Sequence, residues 1–454
     1  MLMESINPVS GERVAVFERW DSARLDTALA ATAYAAPLWA QTPLERRCEL
    51  LLNTAHVLRE RSEELARLIT LEMGKLIAEA RAEVEKCALG CEFYAHYAPA
   101  FLADELVASD AGRSYVAYQP LGTILAVMPW NFPLWQVMRF AAPALVAGNT
   151  ALLKHASNVP QCALAIESVL CEAGAPPGVF QTLMIASSEV RRVIADPRVH
   201  AVTLTGSEPA GRDVAAAAGA ALKKTVLELG GSDPFVVLAD ADLEFTAQRA
   251  VTARFANAGQ SCIAAKRFIV VDEVAEEFLA HFRAGAEALR AGDPANPVTT
   301  LAPLARRDLC TALDAQVRAS IEHGAKVITG CAMLPGAGAW YAPSILDQVT
   351  PGMPAFDEEL FGPVAAVCRA RDEEEAIALA NRSRFGLGAS VWTRDSARGE
   401  RVALRLQSGS VFVNGVVKSD PRLPFGGIKD SGYGRELSSQ GLREFVNVRT
   451  VWIR

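Results

Sequence analysis

Short runs of apolar, β-branched residues alternate along the chain with longer alanine-rich stretches of helical period. The runs Thr123–Met128, Thr150–Lys154, Phe180–Met184 and Ala201–Thr205 predict strands. Between them Val137–Val146, Pro160–Ala173 and Glu189–Ala195 predict helices. Such alternation specifies a parallel sheet with helices on both faces. A second series follows Gly230, with strands at Phe235–Leu238 and Phe268–Val271 and helices at Leu243–Asn257 and Ala275–Ala291. Two α/β domains in sequence are expected, joined by a tight hinge at Gly230-Gly231. Ahead of them, Thr42–Glu92 carries Leu, Ile and Met at helical spacing, an amphipathic stretch whose charged residues are expected to form a solvated face.

At 454 residues the chain exceeds one ordinary core, in keeping with two or three domains. Hydrophobic residues at 51% and charged residues at 21% fit a folded soluble protein. The net charge of -7 is spread without a block of Lys or Arg, which argues against a nucleic-acid or membrane-binding surface. The longest apolar runs, such as Gly122–Met128, are strand-sized, and the first residues lack the basic flank and apolar core of a signal peptide. Nine cysteines, scattered and odd in number, favour a reducing cytoplasm over a disulfide framework. None of the six histidines has metal-ligand spacing to another His or Cys, and Cys87 and Cys91 suit core packing, so no metal is expected.

Four local motifs carry possible chemistry. In Asn257-Ala-Gly-Gln-Ser-Cys262-Ile263, a cysteine after Gly and Ser at a helix end can be flanked by free N–H groups that stabilise a thiolate or an oxyanion. A small buried core residue is the competing reading. In Leu227-Glu228-Leu229-Gly230-Gly231, a carboxylate between leucines is desolvated, which raises its pKa toward that of a general base; a salt-bridged hinge glutamate is the alternative. Two prolines in Pro129-Trp130-Asn131-Phe132-Pro133 aim the asparagine amide, either for an oxyanion hole or for an ordinary Asx turn. Finally, Thr205-Gly206-Ser207-Glu208-Pro209-Ala210-Gly211 follows a strand and opens a helix, a setting that attracts phosphate although the spacing matches neither the dinucleotide fingerprint nor a P-loop.

The cysteine, glutamate and asparagine motifs, taken together with Glu358-Glu359-Leu360-Phe361-Gly362-Pro363 and Pro424-Phe425-Gly426-Gly427-Ile428-Lys429 with Ser431-Gly432, resemble the aldehyde dehydrogenase superfamily in order and rough spacing over nearly the whole chain. Within it, the chain looks most like the short bacterial succinate-semialdehyde dehydrogenases. The resemblance implies an α/β fold: a Rossmann-like cofactor domain (residues 1–100 and 121–230), an α/β catalytic domain (231–425) and β-hairpin oligomerisation strands (101–120 and 436–454), with a homodimer or homotetramer as the assembly. It implies Cys262 as nucleophile, Asn131 with the Cys262 N–H as oxyanion hole, and Glu228 as the base that hydrolyses a thioester to the free acid.

By the same resemblance, Met128, Pro129, Trp130, Lys154, Ser157, Gly206, Ser207, Gly211, Leu229, Glu359 and Phe361 bind the cofactor. Many NAD-preferring relatives carry glutamate where this chain has Ser157, so NADP is expected to be preferred and NAD accepted. Arg139 and Ser419 match contacts to a substrate's distal carboxylate, with Trp135 as an apolar wall. A small aldehyde, most closely succinate semialdehyde, is the implied substrate. Broad-specificity aldehyde oxidation and thiol esterase chemistry remain the alternatives.

Overall fold

The computed structural model describes residues 2–454 and contains two large sheets. The first has six strands, in the spatial order Gly432–Tyr433, Lys224–Glu228, Ala201–Thr205, Thr123–Met128, Thr150–His155 and Phe180–Thr182. All neighbours are parallel except Gly432–Tyr433, which pairs antiparallel with Glu228 and Leu227. The second has seven strands: Lys326–Thr329, Ser344–Asp347, Val364–Ala370, Ala265–Val271, Asp233–Val237, Gly388–Trp392 and Ser410–Val413. Only Lys326–Thr329 runs antiparallel to its neighbour. Strands such as Thr150–His155 and Ala265–Val271 are buried at every position, as helices on both faces require. The chain crosses from one sheet to the other in the four residues Leu229 to Ser232. A third sheet joins Val446–Ile453, Arg113–Pro120 and Glu105–Leu106.

Thr123–Met128 and Ala201–Thr205 form as read, while other boundaries move for local reasons. The helix expected from Val137 begins at Trp135, because the buried Glu83 carboxylate accepts from the N–H groups of Leu134 and Trp135 at 2.9 and 3.0 Å. The stretch Thr42–Glu92 breaks into Leu44–Glu60, Ser62–Met73 and Ile77–Phe101, the second ending at Gly74, whose φ of 79° suits a left-handed cap. Its charges do not all face solvent: Glu72, Lys75 and Glu83 are buried. Each is there to satisfy polar groups, Glu72 accepting from the Cys162 N–H at 2.9 Å and Lys75 pairing with Glu83.

Strand order in the six-stranded sheet reverses beside Thr123–Met128, whose neighbours Thr150–His155 and Ala201–Thr205 are reached by chain leaving in opposite directions. A crevice opens at such a switch point, beyond the carboxyl ends of the strands. Pro129–Asn131 and Gly206–Ser207 occupy that end here. The catalytic-cysteine candidate Cys262 lies three residues before the strand Ala265–Val271, at the entrance of the other sheet. Among the described residues no helix is long and apolar enough to cross a membrane.

Candidate active site

Three consecutive residues with left-handed backbone, Asn257, Ala258 and Gly259, swing the chain sharply into Gln260-Ser261-Cys262. Asparagine and glycine tolerate that conformation, whereas alanine is strained there, so the surroundings must hold the loop. Asn257 Nδ2 donates to the Asn131 carbonyl at 2.9 Å, and Asn131 Nδ2 donates to the Gln260 carbonyl at 3.0 Å. Lys75 fixes the same Asn131 carbonyl at 2.9 Å. From the other side, the buried Lys266 ammonium donates to the carbonyls of Ser261 and Cys262 at 2.7 and 2.6 Å. The loops of Asn131 and Cys262 are therefore tied directly to each other.

Cys262 stands where two cavities meet. The larger, about 420 Å³, runs along Pro129, Trp130, Ser207, Leu229, Glu359 and Phe361. The smaller, about 180 Å³, is walled by Lys86, Trp135, Arg139, Ser419 and Phe425. Burial pushes the thiol up to about 12, a rise opposed by Lys266 and Arg139 and helped by Glu359 and Glu228. It is held as a thiol near neutrality and needs a base. One N–H of the Asn131 amide and the Cys262 backbone N–H remain without acceptors among the described residues, the donors an oxyanion requires.

Glu228 ends the strand Lys224–Glu228 and is 1% exposed, with neither carboxylate oxygen hydrogen-bonded. Burial raises its pKa, and the nearby Glu436 carboxylate raises it further. A carboxyl raised by folding contributes stability only while protonated, below its ordinary value of 4.5, and that stability is lost as pH rises through the folded pKa. Glu228→Gln is therefore expected to melt above the native chain at neutral and alkaline pH, with the advantage vanishing under acid; thermal melts across pH check this.

The remaining predicted residues divide. Pro129, Trp130, Gly206, Ser207, Leu229, Glu359 and Phe361 line the larger cavity, where Trp130 meets Phe361 edge-on at 5.8 Å. The Gly206 N–H is spent on the Glu228 carbonyl at 2.9 Å, so the helix Glu208–Ala220 offers its first-turn N–H groups instead. Gly211 and Met128 do not reach this cavity: a Cβ on Gly211 would meet Leu229 at 2.5 Å, so its part is close packing of helix on strand end. Glu359 accepts from the Gly231 N–H at 3.0 Å and lies 3.4 Å from Lys266. A Cβ at Gly230 would strike Glu359 at 2.6 Å, and one at Gly231 would strike the Cys262 carbonyl at 2.5 Å, which explains the glycine pair.

Ser157 borders a further cavity of about 860 Å³ beyond Arg306, a residue that lines both this cavity and the larger one beside Cys262 and stacks 5.8 Å from the Trp130 ring. Lys154, buried and lowered to about 8 by desolvation, donates to Ser187 Oγ at 3.3 Å. Arg139, expected to meet substrate, lines the smaller cavity, where it holds a buried ion pair with Glu436 and lies 4.7 Å over Phe425. Trp135 and Ser419 do wall the smaller cavity. Sequence reading missed Lys86, Lys266, Arg306 and Glu436. Among the described residues no group of His, Cys, Asp and Glu is arranged to hold a metal.

The aldehyde dehydrogenase family model matches residues 1–451. A probable succinate-semialdehyde dehydrogenase [NADP(+)] of Synechocystis sp. is 51% identical over 453 residues, covering 100% of both chains. Succinate-semialdehyde dehydrogenase [NADP(+)] 1 of Mycobacterium tuberculosis is 49% identical over 456 residues, again covering 100% of both. The crystal structure of succinic semialdehyde dehydrogenase from Streptococcus pyogenes, with NADP+ as the cofactor, superposes at a TM-score of 0.97 with 39% identity, covering 99% of each chain. A cysteine anchored between two cavities, a buried carboxylate beside it and full-length similarity of this degree agree: the chain belongs to the aldehyde dehydrogenase family.

Proposed function

We propose that the protein oxidises succinate semialdehyde to succinate through a thioester on Cys262, with NADP preferred and NAD accepted. The observation that carries the reading is the position of the thiol at the junction of two cavities, one lined by Lys86, Arg139 and Ser419, the other suited to a nicotinamide cofactor. The fit to that cofactor rests on the helix N-terminus at Glu208, the flat walls of Trp130 and Phe361 and the glycine pair that clears space around Glu359. When bound, the nicotinamide accepts the hydride leaving the substrate carbon.

The chain's own residues do the rest. Glu228 in its anionic form takes the proton of the Cys262 thiol as the sulfur–carbon bond forms. The aldehyde oxygen becomes an oxyanion, held by the Asn131 amide and the Cys262 N–H. Loss of hydride leaves the thioester. Glu228 gives that first proton up to solvent, then takes a proton from water as it adds to the thioester carbon and passes it to the sulfur as the carbon–sulfur bond breaks, which returns the thiol and frees the acid.

Lys154 and Ser157 are the residues for the extra phosphate of NADP. Ser157→Glu is expected to lower kcat/KM for NADP about 100-fold by repulsion while changing NAD by less than about threefold. Steady-state kinetics with both cofactors check this. For assembly we propose a homodimer or homotetramer built on Val446–Ile453, whose one edge pairs with Arg113–Pro120 and whose Val448, Trp452 and Ile453 are exposed. The function is tested by NADP and NAD reduction with succinate semialdehyde and hexanal at matched concentrations. Fast NADP reduction confined to the semialdehyde supports it; equal rates with hexanal favour a broad-specificity enzyme, and ester hydrolysis without aldehyde oxidation a thiol esterase.

A further inference from the structure

Two cations around the smaller cavity, the half-buried Lys86 and the exposed Lys418, have no ion pair among the described residues. Arg139 is paired with Glu436, Glu83 with Lys75, and Asp420 with Arg422 at 2.6 Å. Lys86 projects into the same cavity from the helix Ile77–Phe101. Among the described residues it has no carboxylate within ion-pair distance. Its contacts are Ser419 Oγ, to which it donates at 2.7 Å, and the face of Trp135 at 4.5 Å.

Ser419 completes the argument. Its oxygen also accepts from Trp135 Nε1 at 3.1 Å, so two donors fill the two lone pairs of the hydroxyl. The Ser419 O–H must then donate elsewhere, and it sits on the cavity wall with Lys86. An unpaired ammonium and a hydroxyl forced to donate form a receptor for a carboxylate.

We infer that Lys86, through its ammonium and with the Ser419 hydroxyl, binds the distal carboxylate of the substrate and sets the preference for ω-carboxylated aldehydes, while Arg139 serves the ion pair with Glu436. This deepens the substrate reading above and rests on it. Burial lowers Lys86 to about 8, with Arg139 adding to the fall; Glu83 and Cys87 on its own helix and Asp420 on the facing loop oppose it. Lys418 is a further cation on the cavity wall. The cationic form, and with it affinity for a carboxylate, is therefore lost as pH rises past about 8.

The test compares succinate semialdehyde with butanal, the four-carbon aldehyde lacking the carboxylate, in the native chain, Lys86→Met and Lys86→Arg. In Lys86→Met, KM for succinate semialdehyde is expected to rise about 10- to 100-fold with kcat little changed and KM for butanal unaltered. The native preference should decline above about pH 8, a decline absent from Lys86→Met, and Lys86→Arg should restore most of the preference at higher pH. A native preference that survives Lys86→Met overturns the assignment alone, as does equal loss with both aldehydes. A native ratio near one overturns the substrate reading and the assignment with it.

Discussion

Glu228→Gln is expected to reduce about one equivalent of cofactor per active site and then stall, with steady-state turnover slowed about 10²- to 10⁴-fold. Glutamine keeps the size of the side chain but cannot take a proton. The thioester on Cys262 then waits for water that no group activates. Because the same carboxylate receives the thiol proton, the burst itself should also slow while its amplitude stays near one. Stopped-flow absorbance of the reduced cofactor reads both. Turnover of Glu228→Gln at the native rate, with no burst, would remove Glu228 from the mechanism.

The second large effect is on stability. Arg139 and Glu436 are 2% and 5% exposed as side chains, and their ion pair, beside a long 3.5 Å hydrogen bond from Arg139 to Thr205 Oγ1, is the main compensation their charges have in an apolar setting beside Phe425. Removing one partner leaves the other buried alone, which costs about 3–5 kcal/mol. Arg139→Met and Glu436→Gln should each lose that much by chemical denaturation, and a double variant should recover most of it. Arg139→Met should also impair both aldehydes, since it takes away a cation that restrains the pKa of Cys262 and Glu228. Unchanged stability with loss confined to succinate semialdehyde would instead make Arg139 the substrate ligand that the family resemblance implies.

What could be read from the sequence was what is local. Cys262, Glu228 and Asn131 stand in short runs whose glycines and prolines dictate backbone shape; the structure brings Asn131 and Cys262 to one cavity and puts Glu228 near enough to raise the pKa of the thiol. The strands Thr123–Met128 and Ala201–Thr205 were legible because they are short, apolar and closed by Pro129 and Gly206. Lys86 was not legible. On a helix that carries four glutamates, a lysine reads as solvated, and the packing of Ile77–Phe101 against Trp135–Val146 brings it to Trp135 and to Ser419, the latter 333 residues away. Glu436 and Lys266 are hidden for the same reason: each matters through a partner that the fold supplies. Arg139 shows the converse, a residue whose place on the cavity wall was foreseen and whose charge is spent on Glu436.

The central claim is a covalent thioester on Cys262, and mass spectrometry of Glu228→Gln tests it most directly. The variant is mixed with succinate semialdehyde and NADP, quenched in acid and digested. The account predicts one succinyl group per chain, on the peptide that contains Cys262, and none when NADP is left out. Cofactor reduction without that adduct, or an adduct on another cysteine, would contradict it.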